Sequence, residues 1–201
     1  MSYQVYVLDC QQKLWPEYGV AFITKCVVKG LEFLRKQGIQ HRDVKPSNML
    51  VNRLGCVKIC DYGVSKRMMN GITKTKQVGT YSYMAPERRT SDSENGGFRI
   101  QSDVWSLGLS VFHLSTGTFP FADFLSARAI EGIYQMEENF FYREDRRFTS
   151  EQSEFLTACL KTNELDRPDY KTLLQMDFLT GVKIKNLRGD FAKFIRDTLG
   201  P

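Results

Sequence analysis

The chain has 201 residues, 42% of them hydrophobic and 25% charged, which is the size and composition of one well-packed globular domain. Its formal net charge of +5 is mild, and because no dense basic run is present, no nucleic-acid partner is expected. The five cysteines are scattered without a C-x-x-C pair, which argues against a disulfide framework or a zinc site. With no signal pattern and no apolar run of membrane-spanning length, we expect a cytoplasmic or nuclear protein.

The first strong element in the chain is a helix predicted between Glu17 and Gln37. Apolar residues recur there at helical spacing, and Gly38 closes the segment. The apolar positions are Val20, Ile23, Val27, Leu31 and Leu34. The dozen residues at the start of the chain carry no strong period, so no element is predicted for them.

A β-hairpin is predicted after this helix. Its strands are expected at residues 49–51 and 57–59, joined by a turn at Asn52–Gly55. In that register Val51 faces Cys56.

The hairpin is expected to bring oxygen-bearing side chains together at its open end. Asn48 precedes the first strand, Asp61 follows the second, and Asp43 lies in the loop that leads into the hairpin. Two carboxylates and an amide oxygen are hard ligands of the kind that Mg²⁺ prefers, with waters and phosphate oxygens as its remaining partners. The sequence therefore predicts a magnesium site at the open end of the hairpin.

The rest of the chain is predicted to be mainly helical. Residues from Asp61 to about Thr80 are polar and weakly patterned, which is typical of a long functional loop. A polar insert at Arg89–Arg99 is expected on the surface, and the stretch Asp103–Leu114 is apolar on nearly every side, which predicts a buried helix. Further helices are expected near 122–135, 150–160, 169–175 and 189–199.

Five short motifs resemble the protein kinase signature set in their order and spacing. They are His41-Arg42-Asp43 with Asn48, Asp61-Tyr62-Gly63, Ala85-Pro86-Glu87, Asp103 to Gly108, and Asp166-Arg167-Pro168. The resemblance covers essentially the whole chain and implies a protein-kinase-like fold: a mainly α-helical C-lobe with a small β-hairpin at the active site and without the N-lobe β-sheet. Residues 1–201 would form this lobe, with a catalytic loop at 41–48 and an activation segment at 61–87.

Within the kinases, several stretches look like the MAP kinase kinases, and the closing stretch is most similar to their stress-activated branch. The stretches are 43–48, 57–61, 83–88, 101–110 and 190–195. Enzymes of this family are dual-specificity kinases that phosphorylate a threonine and a tyrosine of a MAP kinase. The resemblance therefore implies ATP and Mg²⁺ as cofactors, a MAP kinase as substrate, and an upstream MAP kinase kinase kinase as activator.

The resemblance also implies a role for each matching residue. Asp43 would act as catalytic base toward the substrate hydroxyl, and Lys45 would lie against the transferred phosphate. Asn48 and Asp61 would hold the magnesium ions that bridge the phosphates. Leu50 would lie beneath the adenine ring. Structural roles are implied for three further residues, a buried ion pair between Glu87 and Arg167 and a brace on the catalytic loop by Asp103.

Control by phosphorylation is implied by Arg42, whose guanidinium can pair with a phosphorylated residue of the activation segment. Two positions that carry phosphate in the family fall on Gly71, which has no hydroxyl, and on Thr75, with Thr73 nearby. Activation is therefore expected to depend on Thr75 alone or on a different mechanism. A second departure is Tyr62 in place of the usual phenylalanine, and a buried tyrosine hydroxyl needs a hydrogen-bond partner.

The stretch before His41 has neither a glycine-rich loop nor a strand lysine of the kinase type, so we expect no N-lobe. A kinase that holds ATP from one side alone is expected to be weak or inactive. The alternative is a non-catalytic module that docks a MAP kinase or an upstream kinase around Phe140–Arg147. A small-molecule phosphotransferase is disfavoured, because such enzymes lack the Ala-Pro-Glu segment and its arginine partner.

Overall fold

The computed structural model describes residues 5–8, 15–73, 79–89, 97–119 and 148–199. The helices in these ranges are α1 (Glu17–Lys36), α2 (Pro86–Arg89), α3 (Gln101–Thr116), α4 (Ser150–Cys159), α5 (Tyr170–Leu173), α6 (Asp177–Thr180) and α7 (Ile184–Leu199). The strands are β1 (Val5–Val7), β2 (Ile39–Gln40), β3 (Met49–Asn52), β4 (Val57–Ile59) and β5 (Lys66–Arg67). Among these helices, none combines the length and the apolar character needed to cross a membrane.

Helix α1 confirms the first predicted helix and forms the centre of the core. It packs against α3, β4, α5, α6 and α7. All five apolar positions expected on its inner face are buried. Phe22 of α1 is fully buried and stacks on Phe191 of α7, with ring centroids 4.5 Å apart. The C-terminal helix is thereby fixed to the same core as the segment that precedes the 41–48 loop.

Helix α3 is buried on nearly every side, as its apolar composition predicts. Every residue from Ser102 to Val111 is buried. Such burial surrounds polar side chains as well, and the serine and aspartate side chains of this stretch find partners inside the helix or next to it. Ser110, for example, donates to the Ser106 carbonyl at 2.7 Å. A buried polar group without such a partner would destabilise the fold.

The predicted β-hairpin is present, but its register differs by one residue from the expected one. Val51 pairs with Val57, and not with Cys56. The reason is the side chain of Asn52, whose Oδ1 accepts hydrogen bonds from the backbone N–H groups of Leu54 and Cys56, both at 3.0 Å. This side chain closes a loop one residue longer than the predicted turn.

Two short strand pairs were not predicted from the sequence. β1 pairs antiparallel with the free edge of β3, with Tyr6 opposite Val51, and Leu8 continues the contact by donating its N–H to the Met49 carbonyl at 3.0 Å. β2 pairs antiparallel with β5. Strands of two or three residues are too short to show a period of two, so tertiary hydrogen bonding alone defines them.

The structure departs from the sequence prediction at the insert and at the last helix, and one predicted helix lies outside the described residues. Of the insert expected on the surface at Arg89–Arg99, residues 90–96 lie outside the described residues, whereas Phe98 is only 2% exposed and its ring lies 5.2 Å from the guanidinium of Arg88. The last helix begins at Ile184 and not near 189, so Gly189 lies inside it. The helix expected near 122–135 lies outside the described residues.

The stacking of Phe22 on Phe191 provides a stability test. The substitution Phe22→Ala removes a fully buried ring and should lower the free energy of unfolding by about 3–5 kcal/mol. The matched control is Phe33→Ala in the same helix, where the ring is 62% exposed and the change should stay within about 0.5 kcal/mol. Urea unfolding followed by circular dichroism measures both. Equal effects of the two substitutions would contradict the placement of α7 on α1.

Candidate active site

The 41–48 loop is held by a buried carboxylate of α3. Asp103 is 2% exposed and accepts hydrogen bonds from the backbone N–H groups of His41 at 3.0 Å and Arg42 at 2.9 Å. These bonds fix Arg42 at φ 72, a left-handed conformation that costs a non-glycine residue free energy. Burial raises the pKa of Asp103, and the nearby His41 and the two backbone N–H groups offset part of that rise. The brace expected at Asp103 is therefore present.

Asp43 leaves this braced turn with its carboxylate in a dense set of donors. Thr80 donates its backbone N–H to Oδ1 at 2.7 Å, and Asn48 donates its side-chain amide to Oδ2 at 2.9 Å. The ammonium of Lys45 lies 2.9 Å from the same Oδ2. Asp43 is 8% exposed. The four residues therefore form one compact polar cluster, which we call the Asp43 cluster.

The protonation of Asp43 follows from two opposing effects. Burial alone would raise the pKa of its carboxyl, but the hydrogen bonds from Lys45 and Thr80 and the positive charge of Lys45 outweigh it. The pKa of Asp43 therefore lies below its ordinary value. At neutral pH the group is an ionised acceptor, which is the form needed to orient a hydroxyl group and later to take its proton.

Lys45 joins the loop to the segment before the Ala-Pro-Glu motif. Its ammonium donates to the Thr80 hydroxyl at 2.5 Å as well as contacting Asp43. Gly79 allows this close approach, because its φ is +111° and a Cβ at this position would collide with the carbonyl oxygen of Arg42. Sequence reasoning missed Thr80, and the preceding glycine is the only local signal for its placement.

Asn48 and Asp61 lie at the open end of the hairpin, as predicted. The N–H of Cys60 donates to the Asn48 carbonyl at 2.9 Å, so Asp61 is one residue from the position opposite Asn48. Asn48 uses its amide nitrogen to bind Asp43, and no hydrogen bond reaches its Oδ1 from the described residues. The Asp61 carboxylate is exposed, and within the described part of the chain it accepts only the Gly63 N–H, at 3.2 Å. These two oxygen donors fit the ligand set of Mg²⁺, which takes few protein ligands besides phosphate and water.

The rings of His41 and Tyr62 are in contact, with centroids 5.5 Å apart. Tyr62 is 52% exposed, so its added hydroxyl is not buried, and it donates to the Ile59 carbonyl at 2.9 Å. His41 accepts the Asp43 N–H at Nδ1, so its proton is assigned to Nε2, which faces the Cys60 carbonyl at 3.0 Å. His41 thereby links the 41–48 loop to Cys60, which lies between the end of β4 and Asp61.

The expected ion pair between Glu87 and Arg167 is present in bidentate form. Arg167 Nη1 and Nη2 lie 2.8 Å and 2.9 Å from the two carboxylate oxygens of Glu87. The guanidinium also donates to the Lys161 and Thr162 carbonyls and lies over the Trp105 ring. All its contacts are structural, and they anchor the end of the 61–87 segment to the helical body.

The remaining residues that the sequence predicts for the site have few contacts there or lie outside the described residues. Arg42 donates Nε to the Val64 carbonyl at 2.6 Å, while its buried Nη1 has no hydrogen-bond partner among the described residues. Burial, together with the positive charge of Arg88, lowers the pKa of Arg42. Leu50 is partly buried on β3. Thr75 and the docking surface expected at 140–147 lie outside the described residues.

A model of the protein kinase domain matches residues 3–179 of the chain. The chain belongs to the protein kinase family. Its mainly helical fold with small sheets agrees with a kinase C-lobe, as the sequence motifs predict.

The similar proteins are named as MAP kinase kinases. The dual specificity mitogen-activated protein kinase kinase jkk-1 of Caenorhabditis elegans is 36% identical over 82% of this chain and 39% of its own length. The dual specificity mitogen-activated protein kinase kinase 7 of Homo sapiens is 34% identical over 92% of this chain and 44% of its own length. These matches confirm the resemblance drawn from the sequence. The chain spans less than half the length of these relatives.

The lowered pKa of Asp43 predicts how stability depends on pH. Because the folded-state pKa lies below the unfolded value of about 3.9, ionised Asp43 stabilises the fold above that pH, and this stabilisation is lost as the pH falls through the folded-state pKa. The free energy of unfolding of Asp43→Asn should therefore fall less steeply below about pH 4 than that of the wild type. Asp197→Asn, at an exposed position of α7, should keep the wild-type slope. Parallel slopes for wild type and Asp43→Asn would refute the prediction.

Proposed function

We propose that this chain carries the catalytic lobe of an ATP-dependent protein kinase of the MAP kinase kinase type. It would transfer the γ-phosphoryl group of ATP to serine, threonine or tyrosine hydroxyls of a protein. The observation that carries the proposal is the Asp43 cluster, in which an ionised carboxylate, an ammonium group and the side-chain amide of Asn48 are held within hydrogen-bond distance. In this proposal residues 41–48 are the catalytic loop and residues 61–87 the activation segment.

Asp43 is assigned to the substrate hydroxyl. The hydroxyl oxygen forms the new bond to the γ-phosphorus, the bond from that phosphorus to the β–γ bridging oxygen breaks, and ADP leaves. The proton of the hydroxyl goes to the Asp43 carboxylate. Since the pKa of Asp43 is lowered, the carboxylate is a weak base that first orients the hydroxyl and takes the proton late in the transfer.

Lys45, Asn48 and Asp61 are assigned to the phosphates. Asn48 Oδ1 and the exposed Asp61 carboxylate would hold Mg²⁺, which when bound neutralises charge on the phosphate oxygens. Lys45 lies beside Asp43 and would place its charge against the transferred group. Leu50, partly buried on β3, would contact the adenine ring from below.

The identity of the substrate is proposed from the similar proteins. Both relatives are named as kinases of MAP kinases, so a MAP kinase is the proposed substrate. An upstream kinase of the MAP kinase kinase kinase type is the proposed activator, acting on Thr75. The buried Nη1 of Arg42 supports this assignment, since a guanidinium in this position can pair with a phosphorylated residue.

The test is phosphate transfer from labelled ATP to a catalytically inactive MAP kinase by the full chain. Asp43→Asn should lower the rate by about 10²–10⁴-fold, because it removes the group that accepts the proton. Asp197→Asn, which removes an exposed aspartate of α7, should leave the rate unchanged. Equal transfer by the wild type and Asp43→Asn would eliminate Asp43 as the base. If the chain binds the MAP kinase but transfers no phosphate at any ATP concentration, the non-catalytic docking function replaces the proposal.

A further inference from the structure

Thr73 is the most deeply buried polar residue in the described part of the 61–87 segment. It is 1% exposed, and its hydroxyl donates to the side-chain oxygen of Gln40 at 2.8 Å. Its backbone forms a bridge with Phe98, in which each residue donates its N–H to the carbonyl of the other, at 2.9 Å and 2.8 Å. Thr73 is therefore fixed both through its side chain and through its main chain.

Gln40 continues the connection from Thr73 into α3. It is 1% exposed, and its amide nitrogen donates to the Arg99 carbonyl at 2.7 Å and to the Ser102 hydroxyl at 3.2 Å. Its oxygen and its nitrogen both have partners, so the buried amide carries no unsatisfied polar atom. Gln40 directly precedes His41, and Asp103, which binds the His41 N–H, directly follows Ser102. Through Gln40, the hydroxyl of Thr73 is thus linked both to the residue before His41 and to the residue before Asp103, the two partners of the brace on the catalytic loop.

The chain before Thr73 is held by backbone hydrogen bonds. The Met68 N–H donates to the Gly38 carbonyl at 2.7 Å, and β5 pairs with β2. Met69 and Ile72 exchange N–H to carbonyl hydrogen bonds at 2.9 Å and 3.1 Å. The two residues between them, Asn70 and Gly71, have φ values of 52° and 78°, which is the backbone of a tight hairpin turn favoured by an Asn-Gly pair.

Gly71 and Thr73, the two positions of this stretch that were considered for phosphorylation, both serve to hold the chain in its conformation. Gly71 has no hydroxyl and occupies the turn, and the hydroxyl of Thr73 is engaged in a buried hydrogen bond. A phosphate on Thr73 would place a charge in a site that is 1% exposed and would break the bond to Gln40.

We propose that Gln40 and Thr73 are positioning residues that hold residues 66–73 of the activation segment against the catalytic loop without phosphorylation. The link is a neutral, buried hydrogen-bond network. Salt screens it far less than it would screen an exposed phosphate–arginine pair. Its effect on phosphoryl transfer rests on the proposed function, whereas the order of the segment does not.

The experiment is hydrogen–deuterium exchange on the full chain after phosphatase treatment, with mass spectrometry of peptides that cover residues 66–73. In the wild type the amides of Met68, Met69, Ile72 and Thr73 should stay protected relative to an unstructured peptide, since they are hydrogen-bonded. Thr73→Val removes the hydroxyl at nearly constant shape and leaves the Gln40 oxygen unpaired. Exchange should then become at least about tenfold faster in this segment.

The chain offers two matched controls. Thr73→Ser keeps the hydroxyl and should retain the protection of the segment. Thr24→Val also deletes a buried threonine hydroxyl, but among the described residues that hydroxyl bonds only to the Val20 carbonyl within α1, at 2.7 Å. It should leave the exchange of residues 66–73 unchanged. This pair separates a local release of the segment from a general loss of stability.

Three outcomes would overturn the proposal. The dephosphorylated wild type could exchange in residues 66–73 as fast as an unstructured peptide. This outcome is measured on the wild type alone and does not depend on the folding of a variant. Thr73→Val could exchange like the wild type. Phosphate could be found on Thr73 of the folded chain by mass spectrometry. If the wild type transfers no phosphate but its residues 66–73 are protected from exchange, the proposed function is refuted and the positioning of the segment stands.

Discussion

The site depends on one buried carboxylate. Asp103 receives the N–H groups of His41 and Arg42 in the interior of the protein, and through them it holds Arg42 in a left-handed backbone conformation. That conformation directs the next residue, Asp43, toward Thr80 and Lys45. Without the two bonds the strained turn would relax, because a left-handed conformation persists only where its surroundings impose it.

The hydrogen bonds around this turn determine the ionisation of Asp43 and the orientation of the Asn48 amide. Hydrogen bonds from Lys45 and Thr80 keep Asp43 ionised in spite of its burial. Asn48 donates its amide nitrogen to Asp43, and no hydrogen bond from the described residues reaches its side-chain oxygen. The 61–73 stretch is held against the same region by neutral groups, through the hydrogen bonds of Thr73 to Gln40 and Phe98. A charged site that uncharged hydrogen-bonding groups hold in place suits a reaction that relies on positioning and electrostatics.

Much of this could be predicted from the sequence. The helix that became α1 and the hairpin follow from periodicity and turn residues. The pairing of Glu87 with Arg167 and the brace by Asp103 are implied by the resemblance to the protein kinases. What could not be predicted depends on contacts between distant segments. The bond from Thr73 to Gln40 joins a polar loop residue to a two-residue strand, and neither has a local pattern. The hairpin register was wrong because the side chain of Asn52 extended the turn.

The most direct test of the central claim is the substitution Asp103→Asn in the full chain. The amide keeps the shape of the carboxylate but turns one acceptor into a donor, which must then face a backbone N–H. The account predicts at least about tenfold faster exchange of the His41 and Arg42 amides, loss of phosphoryl transfer, and unchanged protection of α1. If both amides remain as protected as in the wild type and transfer is retained, Asp103 does not hold the site.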